Sequence, residues 1–231
     1  MRLVSWDALP DELRVEEVRP YYDSLVAKKG QLVGKRCIDI VVSALLLVLL
    51  SPVFLVLAIA IKVDSPGPVF YRQERVTQYG KKFRIFKFRT MCDKADQMGS
   101  AVTTGGDARV TRVGAKIRDY RLDEISQLID ILRGAMTLVG TRPEVPKYVA
   151  AYTPEMMATL LLPAGVTSTA SVRFKDEAEL LDSAADVDKV YVEDVLPAKM
   201  KYNLRDVKEF SLPRDIRLMF QTVGAVANRG E

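Results

Sequence analysis

The chain has 231 residues, 48% of them apolar and 28% charged, with a formal net charge of +4. That is room for one sizeable domain or two small ones, and the basic balance suits phosphates, nucleic acid or an acidic membrane surface. Histidine is absent, which excludes a Ser-His-Asp triad and a histidine-based zinc site and leaves any chemistry to carboxylates, Lys, Arg, Tyr, Ser, Thr and two thiols, Cys37 and Cys92, which suggest no disulfide framework and fit a reducing cytoplasm.

Residues 1–34 are mixed and polar, with helical stretches predicted around Glu12–Val18 and Tyr21–Lys28. They carry no recognisable chemistry and read as an extension with an interface or membrane-surface role. From Ile40 to Ile61 there are 22 residues without a charge, long enough to span a bilayer as one helix. The segment lies too far from the N-terminus for a usual signal peptide, and no small-residue cleavage site follows it. Ser51-Pro52 falls at its midpoint, where proline removes a helix hydrogen bond and bends the chain. Both flanks are basic: Lys28, Lys29, Lys35 and Arg36 before it, Lys62, Arg72, Arg75, Lys81 and Lys82 after it. The positive-inside rule therefore draws both ends to the cytoplasm. Each arm of about 11 residues reaches roughly 16 Å, about halfway through the hydrocarbon. A bent helix that enters and returns and a kinked transmembrane anchor both satisfy these residues. Asp39 is expected to pair with Arg36 at the membrane interface.

Asp64-Ser65-Pro66-Gly67-Pro68 is a turn cluster. Val69–Arg72 and Phe83–Met91 read as short strands, the second with a one-residue slip at a bulge where alternation breaks between Ile85 and Phe86. From Lys62 to Met91 there are eight Lys/Arg and two Asp/Glu. A polar loop, Thr103-Thr104-Gly105-Gly106-Asp107, precedes a basic run of Arg109, Arg112, Lys116, Arg118 and Arg121. Leu122, Ile125, Leu128, Ile129 and Leu132 mark one face of a helix that Gly134 ends as a C-cap. Leu138-Val139-Gly140-Thr141-Arg142-Pro143 is a buried approach to a loop carrying one arginine. Residues 146–231 read as mainly helical, and the apolar stretch Ile216–Val223, set among basic residues, is expected to lie flat on a membrane.

The chemistry centres on Asp123 and Glu124 in the first turn of the helix starting near Leu122. Acidic residues there also simply complement the helix dipole. The surroundings favour more: Arg118 and Arg121 precede the pair, Arg142 follows it in a Gly/Pro-rich loop, and Lys87 and Arg89 share one face of a strand. Two carboxylates among several cations suit a metal-bound diphosphate, one attacking phosphorus and the other holding Mg²⁺, with Arg and Lys offsetting charge on the transferring group. The basic residues are alternatively a solvated or lipid-headgroup surface, the expected role of Lys62, Lys81 and Lys82. No helix-turn-helix spacing, zinc finger or RNA-binding aromatic signature appears, so nucleic acid is not an expected partner. Gly105-Gly106 lacks the Gly-Lys-Ser/Thr ending of a P-loop. Asp186-Val187-Asp188 matches the short Asp-x-Asp pattern of metal-dependent glycosyltransferases, a match that arises readily by chance.

Taken in order, several pieces resemble the bacterial sugar transferase family, the monotopic polyprenol-phosphate phosphoglycosyl transferases. They are Lys35-Arg36-x-x-Asp39, Ser51-Pro52, the run Gly67 to Val76, Phe86-Lys87-Phe88-Arg89-Thr90-Met91, Leu122-Asp123-Glu124 with Gln127-Leu128, and Leu138 to Pro143. The resemblance covers roughly residues 33–225. It implies a mostly α, α/β monotopic membrane protein with a small strand element and interfacial amphipathic helices. Its membrane helix would be re-entrant, kinked at Ser51 and Pro52. The expected divisions are an extension (1–34), the membrane helix (35–62) and a catalytic domain (63–231) on the cytoplasmic face of a bacterial inner membrane.

The resemblance further implies transfer of a sugar 1-phosphate from a UDP-sugar to undecaprenyl phosphate, as the first membrane step of a glycan pathway. Asp123 would be the nucleophile, giving an aspartyl phosphosugar and releasing UMP. Glu124 would help hold Mg²⁺, and Lys87, Arg89, Arg121 and Arg142 would contact phosphate. A phospholipid membrane is an implied partner, and a homodimer is compatible with the family. Thr141-Arg142-Pro143, Pro163–Ser168 and Asn203 depart from the usual pattern, which leaves the phosphoryl chemistry intact and the sugar preference open. The competing reading is a non-catalytic, membrane-anchored scaffold for anionic lipid.

Overall fold

In the computed structural model, which describes residues 1, 3–95, 98, 107–174 and 186–227, the N-terminal segment is built into the core. Leu9, Leu13, Val18, Tyr22 and Leu25 pack against Leu160, Leu161, Val207 and Phe210 from far along the chain. Of the two helices predicted there, the second forms as α1 (Arg19–Val26), with Pro20 in its first turn, where a missing N–H costs nothing. The first is only a short 3-10 turn, Asp11–Leu13. Its buried residues Leu13 and Val18 stand five apart, a spacing that no helix face repeats.

Helix α2 (Lys29–Leu49) and helix α3 (Ser51–Asp64) meet at Leu50 with a bend of 61°. The kink falls at the predicted Ser51-Pro52. Ser51 Oγ donates to Val48 O at 2.8 Å, and Pro52 sits in the first turn of α3. Among the described residues no single helix is long and apolar enough to cross a membrane, although the bent pair passes that test together. Val41, Leu45, Val48, Leu49, Leu55, Val56 and Ile59 are all exposed on this pair.

The charged entry to the bent segment is wired into the protein. Lys35 Nζ donates to Val139 O at 2.7 Å and to Asp215 at 2.6 Å. Asp39 accepts from Thr137 Oγ1 at 2.7 Å and from Leu138 N at 3.0 Å. Arg36 donates to Ile131 O at 2.7 Å and Leu132 O at 3.0 Å. The expected Arg36–Asp39 pair is therefore not made. Lys35 and Asp39, four apart on one helix face, are buried against a strand edge, while Arg36 reaches the open carbonyls of a neighbouring helix end.

Strands β1 (Phe70–Val76) and β2 (Lys82–Phe88) form an antiparallel hairpin. Its register runs unbroken from Phe70↔Phe88 to Val76↔Lys82, so the expected bulge is absent. Alternation fails in the sequence because both faces are covered. Ile85 packs on Leu128 and Ile131, and Phe88 packs on Leu57, Ile61 and Ile117. Phe86 lies under the guanidinium of Arg72, 3.4 Å from the ring centre.

Helix α4 (Arg112–Asp119) is capped by Thr111, whose side chain accepts from Gly114 N. A 3-10 helix, Leu122–Gln127, runs into α5 (Leu128–Arg133), which Gly134 ends at φ 83° as predicted. Strand β3 (Met136–Val139) is followed by α6 (Pro146–Val149) and a 3-10 helix, Glu155–Leu161. β3 pairs in parallel with β4 (Ala164–Thr167). The sequence gives little sign of β4, because Ala164-Gly165 has low strand propensity. Gly165 is required by the pairing: a Cβ there would lie 2.1 Å from Gly140 N.

The described remainder is mainly helical, as predicted: α7 (Thr169–Arg173), α8 (Val187–Val190), a π turn (Tyr191–Val195), α9 (Leu196–Lys208) and α10 (Leu212–Ala227). On α10, Leu218 is buried while Ile216, Phe220 and Val223 are exposed. Residues 103–106 of the predicted polar loop lie outside the described residues.

Replacing Lys35 by Met leaves Asp215 without its buried cation and Val139 O without its donor. The expected loss is about 3 kcal/mol of unfolding free energy, measured by denaturant titration of the detergent-solubilised chain. Leu45→Ser, at an exposed position of the same helix, is expected to leave that value nearly unchanged.

Candidate active site

Arg121 adopts a left-handed backbone, φ 55°, unusual for a residue with a Cβ. It turns the chain out of α4 and starts the 3-10 helix, so Asp123 and Glu124 fall in that helix's first turn. Neighbouring residues on such a helix point about 120° apart, and the two carboxylates accordingly meet different surroundings. Asp123 opens onto a cleft of about 830 Å³. Glu124 turns into a cluster of cations.

Strand β2 brings Lys87 to that cluster, and the loop leaving β3 brings Arg142. Lys87 Nζ lies 2.9 Å from Glu124 Oε1 and 3.9 Å from Asp123 Oδ2. Arg142 binds Glu124 with both arms of its fork, Nη1 to Oε2 at 3.1 Å and Nη2 to Oε1. Bidentate guanidinium–carboxylate geometry is among the strongest polar contacts a protein makes. Burial opposes ionisation of Glu124, but the charges of Arg142 and Lys87 outweigh it and hold the carboxyl well below its ordinary value. Arg142 is held above its own by Glu124. Burial pushes Asp123 up, with Glu124 adding to the shift and Lys87 and Arg118 opposing it. Two adjacent carboxylates are thus driven apart in acidity, a pattern associated with distinct acid–base or nucleophilic roles.

Four of the sequence-predicted residues converge: Asp123, Glu124, Lys87 and Arg142. Arg89 lines the cleft, but its guanidinium donates to Pro66 O at 2.6 Å and to Ser65 O and Oγ at 2.7 and 2.9 Å. It fastens the 64–68 turn, where Gly67 has φ 117° and a Cβ would collide with Arg89. Arg121 contributes the left-handed turn and is not among the residues lining the cleft, whereas Arg118 is. Sequence reasoning placed Arg118 and Arg121 together, since nothing in the sequence signals a positive φ at an arginine. Asp186 caps α8 through Lys189 N, and Asp188 accepts from Lys147 Nζ and Tyr148 Oη, each at 2.6 Å. The two acids of the Asp-x-Asp match serve different partners.

Among the described residues no cluster of three or more acidic or thiol side chains is gathered that could hold a metal ion by protein ligands alone. Mg²⁺ needs only one or two carboxylates when substrate phosphates complete its shell. The donor set fits that requirement: Asp123 faces the cleft, and Glu124 Oε2 accepts a single N–H, leaving a lone pair.

Residues 30–229 match the family model described as bacterial sugar transferase. The chain belongs to that family. It is 35% identical over 195 residues to a UDP-N-acetylgalactosamine-undecaprenyl-phosphate N-acetylgalactosaminephosphotransferase of Aeromonas hydrophila, covering 83% of this chain and 43% of the relative. It is 37% identical over 198 residues to a UDP-glucose:undecaprenyl-phosphate glucose-1-phosphate transferase of Caulobacter vibrioides, covering 82% and 68%. It is 33% identical over 208 residues to the exopolysaccharide production protein PSS of Rhizobium leguminosarum, covering 87% and 98%. The chain spans less than half of the Aeromonas relative's length.

Glu124 titrates lower in the folded chain than its ordinary 4.5, so its ion pairs contribute stability above that pH and lose it as pH falls through the folded value. Arg142→Met is expected to cost about 1–3 kcal/mol near neutral pH, less than for a sealed pair because the Arg142 side chain is 32% exposed. The gap from the unsubstituted chain should narrow on acidification below pH 4.5, read by denaturant unfolding across pH.

Proposed function

We propose that this chain transfers a sugar 1-phosphate from a UDP-sugar to undecaprenyl phosphate, with Asp123 as a covalent nucleophile. The observation that carries this reading is the division of labour in the carboxylate pair. Asp123 faces the cleft with Lys87 3.9 Å away, while Glu124 is bound by Lys87 and Arg142. The relatives named as undecaprenyl-phosphate sugar phosphotransferases support the substrate classes.

In the first step an Asp123 carboxylate oxygen attacks the β-phosphorus. The bond from that phosphorus to the bridging oxygen breaks, and UMP leaves with the electron pair. In the second, an oxygen of the lipid phosphate attacks the same phosphorus and the Asp123 carboxylate is released. Both nucleophiles are anions, so neither step needs a base, which suits a chain without histidine. Lys87, Arg118 and Arg142 offset the charge on the transferring group. Glu124 would hold Mg²⁺ together with substrate oxygens, and the bound ion would supply further charge compensation on the diphosphate.

The same reading places α2 and α3 in one leaflet as a re-entrant segment, at the cytoplasmic face of a bacterial inner membrane. The exposed apolar residues of the bent pair support it, as do Ile216, Phe220 and Val223 on α10, suited to an interfacial helix.

Asp123→Asn is expected to lower UMP release from UDP-sugars by roughly 10³-fold or more, scored by chromatography of the nucleotide products. Release at the wild-type rate would return the chain to the scaffold reading, and UDP in place of UMP would indicate a different transfer chemistry. Topology has its own test. With Cys37 and Cys92 replaced by Ser, single cysteines at the exposed positions Glu17 and Lys82 should both resist an impermeant thiol reagent in intact cells and react after permeabilisation. Labelling of position 17 from outside would sink the re-entrant placement.

A further inference from the structure

Lys87, Arg142, Glu124 and Asp123 carry two positive and two negative charges, so an incoming anion finds no net attraction in that cluster alone. Several other cations lining the cleft are already engaged. Arg109 is paired with Asp107 at 2.6 Å and Lys147 with Asp188 at 2.6 Å, Arg89 holds the 64–68 turn, and Arg72 lies over Phe86. Arg75 differs. Strand β1 directs Tyr71, Gln73 and Arg75 to one face, and Arg75 lines the cleft beside the loop that carries Arg142. Its Nη1 donates to Pro143 O at 3.1 Å and its Nη2 to Gln73 Oε1 at 2.6 Å. A guanidinium has five N–H donors. The remaining ones, including the buried Nε–H, find no acceptor among the described residues.

No carboxylate of the described residues lies within 4.0 Å of Arg75. Glu144, the acid that acts on it most, is committed elsewhere: it accepts from Tyr191 Oη at 2.6 Å and lies 3.7 Å from Lys199. Burial disfavours the Arg75 charge, and Arg142 repels it. A half-buried cation whose Nε–H finds no acceptor and that no carboxylate contacts is poorly compensated, and an anionic ligand would improve that compensation.

We propose that Arg75, steadied by Gln73, is a second phosphate subsite of the cleft, resting on the transfer proposed above. It takes the phosphoryl group that is not being transferred in a given step: the phosphate of the departing nucleotide or that of the lipid acceptor. Separate cations for the transferring and the non-transferring phosphorus let the first stay with Lys87, Arg118 and Arg142 while the second is exchanged.

The test is equilibrium binding to the full chain in detergent with Mg²⁺, by calorimetry for UMP and by thermal shift for undecaprenyl phosphate. Arg75→Gln is expected to weaken one of the two ligands by about 10- to 100-fold, and the ligand affected identifies the source of the phosphate. Arg75→Lys, which keeps the charge without the fork, should lose about tenfold. Wild-type affinity for both ligands in Arg75→Gln overturns the subsite. Should Arg75→Gln fail to fold, wild-type affinity for both in Arg75→Lys overturns it equally. Because binding is measured without turnover, a failure of the subsite is distinct from a failure of the transfer, which the UMP-release experiment reports.

Discussion

The contact on which the rest depends is the fastening of α2 to β3 by Lys35 and Asp39. Two ionisable side chains are buried there, each joined to the strand's backbone as well as to a side-chain partner. Their burial fixes the depth and rotation of α2, and it fixes β3 just before Gly140-Thr141-Arg142. Arg36 adds a second tie by satisfying the open carbonyls at the end of α5. The elements on either side of the carboxylate pair are thus referenced to one helix. Arg142 follows β3, the Asp123–Glu124 turn precedes α5, and Glu124 closes the loop between them by binding Arg142. Lys87 enters from β2, which rests on α5 through Ile85.

Electrostatics then separates two residues that chemistry alone would treat as equals. Glu124 has three N–H contacts from two cations, so its charge is spent on organising the site. Asp123 faces the cleft, with Lys87 3.9 Å away and Arg118 acting on it more weakly. Burial raises the pKa of Glu124, but Arg142 and Lys87 together lower it by more, and for Asp123 the balance reverses. A carboxylate that is poorly compensated in the resting protein gains most from an approaching phosphorus centre, whereas one already neutralised gains least. On this ground Asp123, rather than Glu124, is the nucleophile in the proposed reaction.

Much of this was legible in the sequence, for identifiable reasons. Proline dictates a bend wherever it interrupts a helix, so the break at Ser51-Pro52 could be read directly. Asp123 and Glu124 drew notice as a carboxylate pair among cations in a chain lacking histidine, whereas Lys87 and Arg142 took their expected roles from the ordered motifs shared with the sugar transferase family. What stayed hidden depends on partners distant in sequence. Asp39 was assigned to its nearest cation because Thr137 and Leu138 are about 100 residues away. Arg89 looks like a ligand-binding cation until the carbonyls of Ser65 and Pro66 are seen around it. Arg121 and Arg118 exchange expected positions through one left-handed residue. The N-terminal segment read as peripheral because it carries no recognisable chemistry, yet its apolar residues fill the core against residues 158–162, Val207 and Phe210. The hairpin's false bulge arose because covering both faces erases the period on which the reading relied.

The bent segment and the cleft also bear on each other. If α2 and α3 formed one straight span, Lys35 and Asp39 could still hold β3, but α3 would leave the domain. Instead the 61° bend returns α3 so that Leu57 and Ile61 meet Phe88 and Ile117. Those contacts set the end of β2 that carries Lys87 and Arg89, and they seat α4, which carries Arg118. Asp64, at the end of α3, accepts from Val113 N at 3.0 Å, adding a polar tie at that junction. The apolar segment thus supports the site from two directions, through α2 to Arg142 and through α3 to Lys87 and Arg118. For the proposed reaction this has a physical consequence. There the acceptor phosphate would lie near a membrane surface, and a nucleophile held by both arms of the apolar segment would meet it at a fixed height. Part of the entropy of bringing the two together is then met by the fold before the lipid arrives.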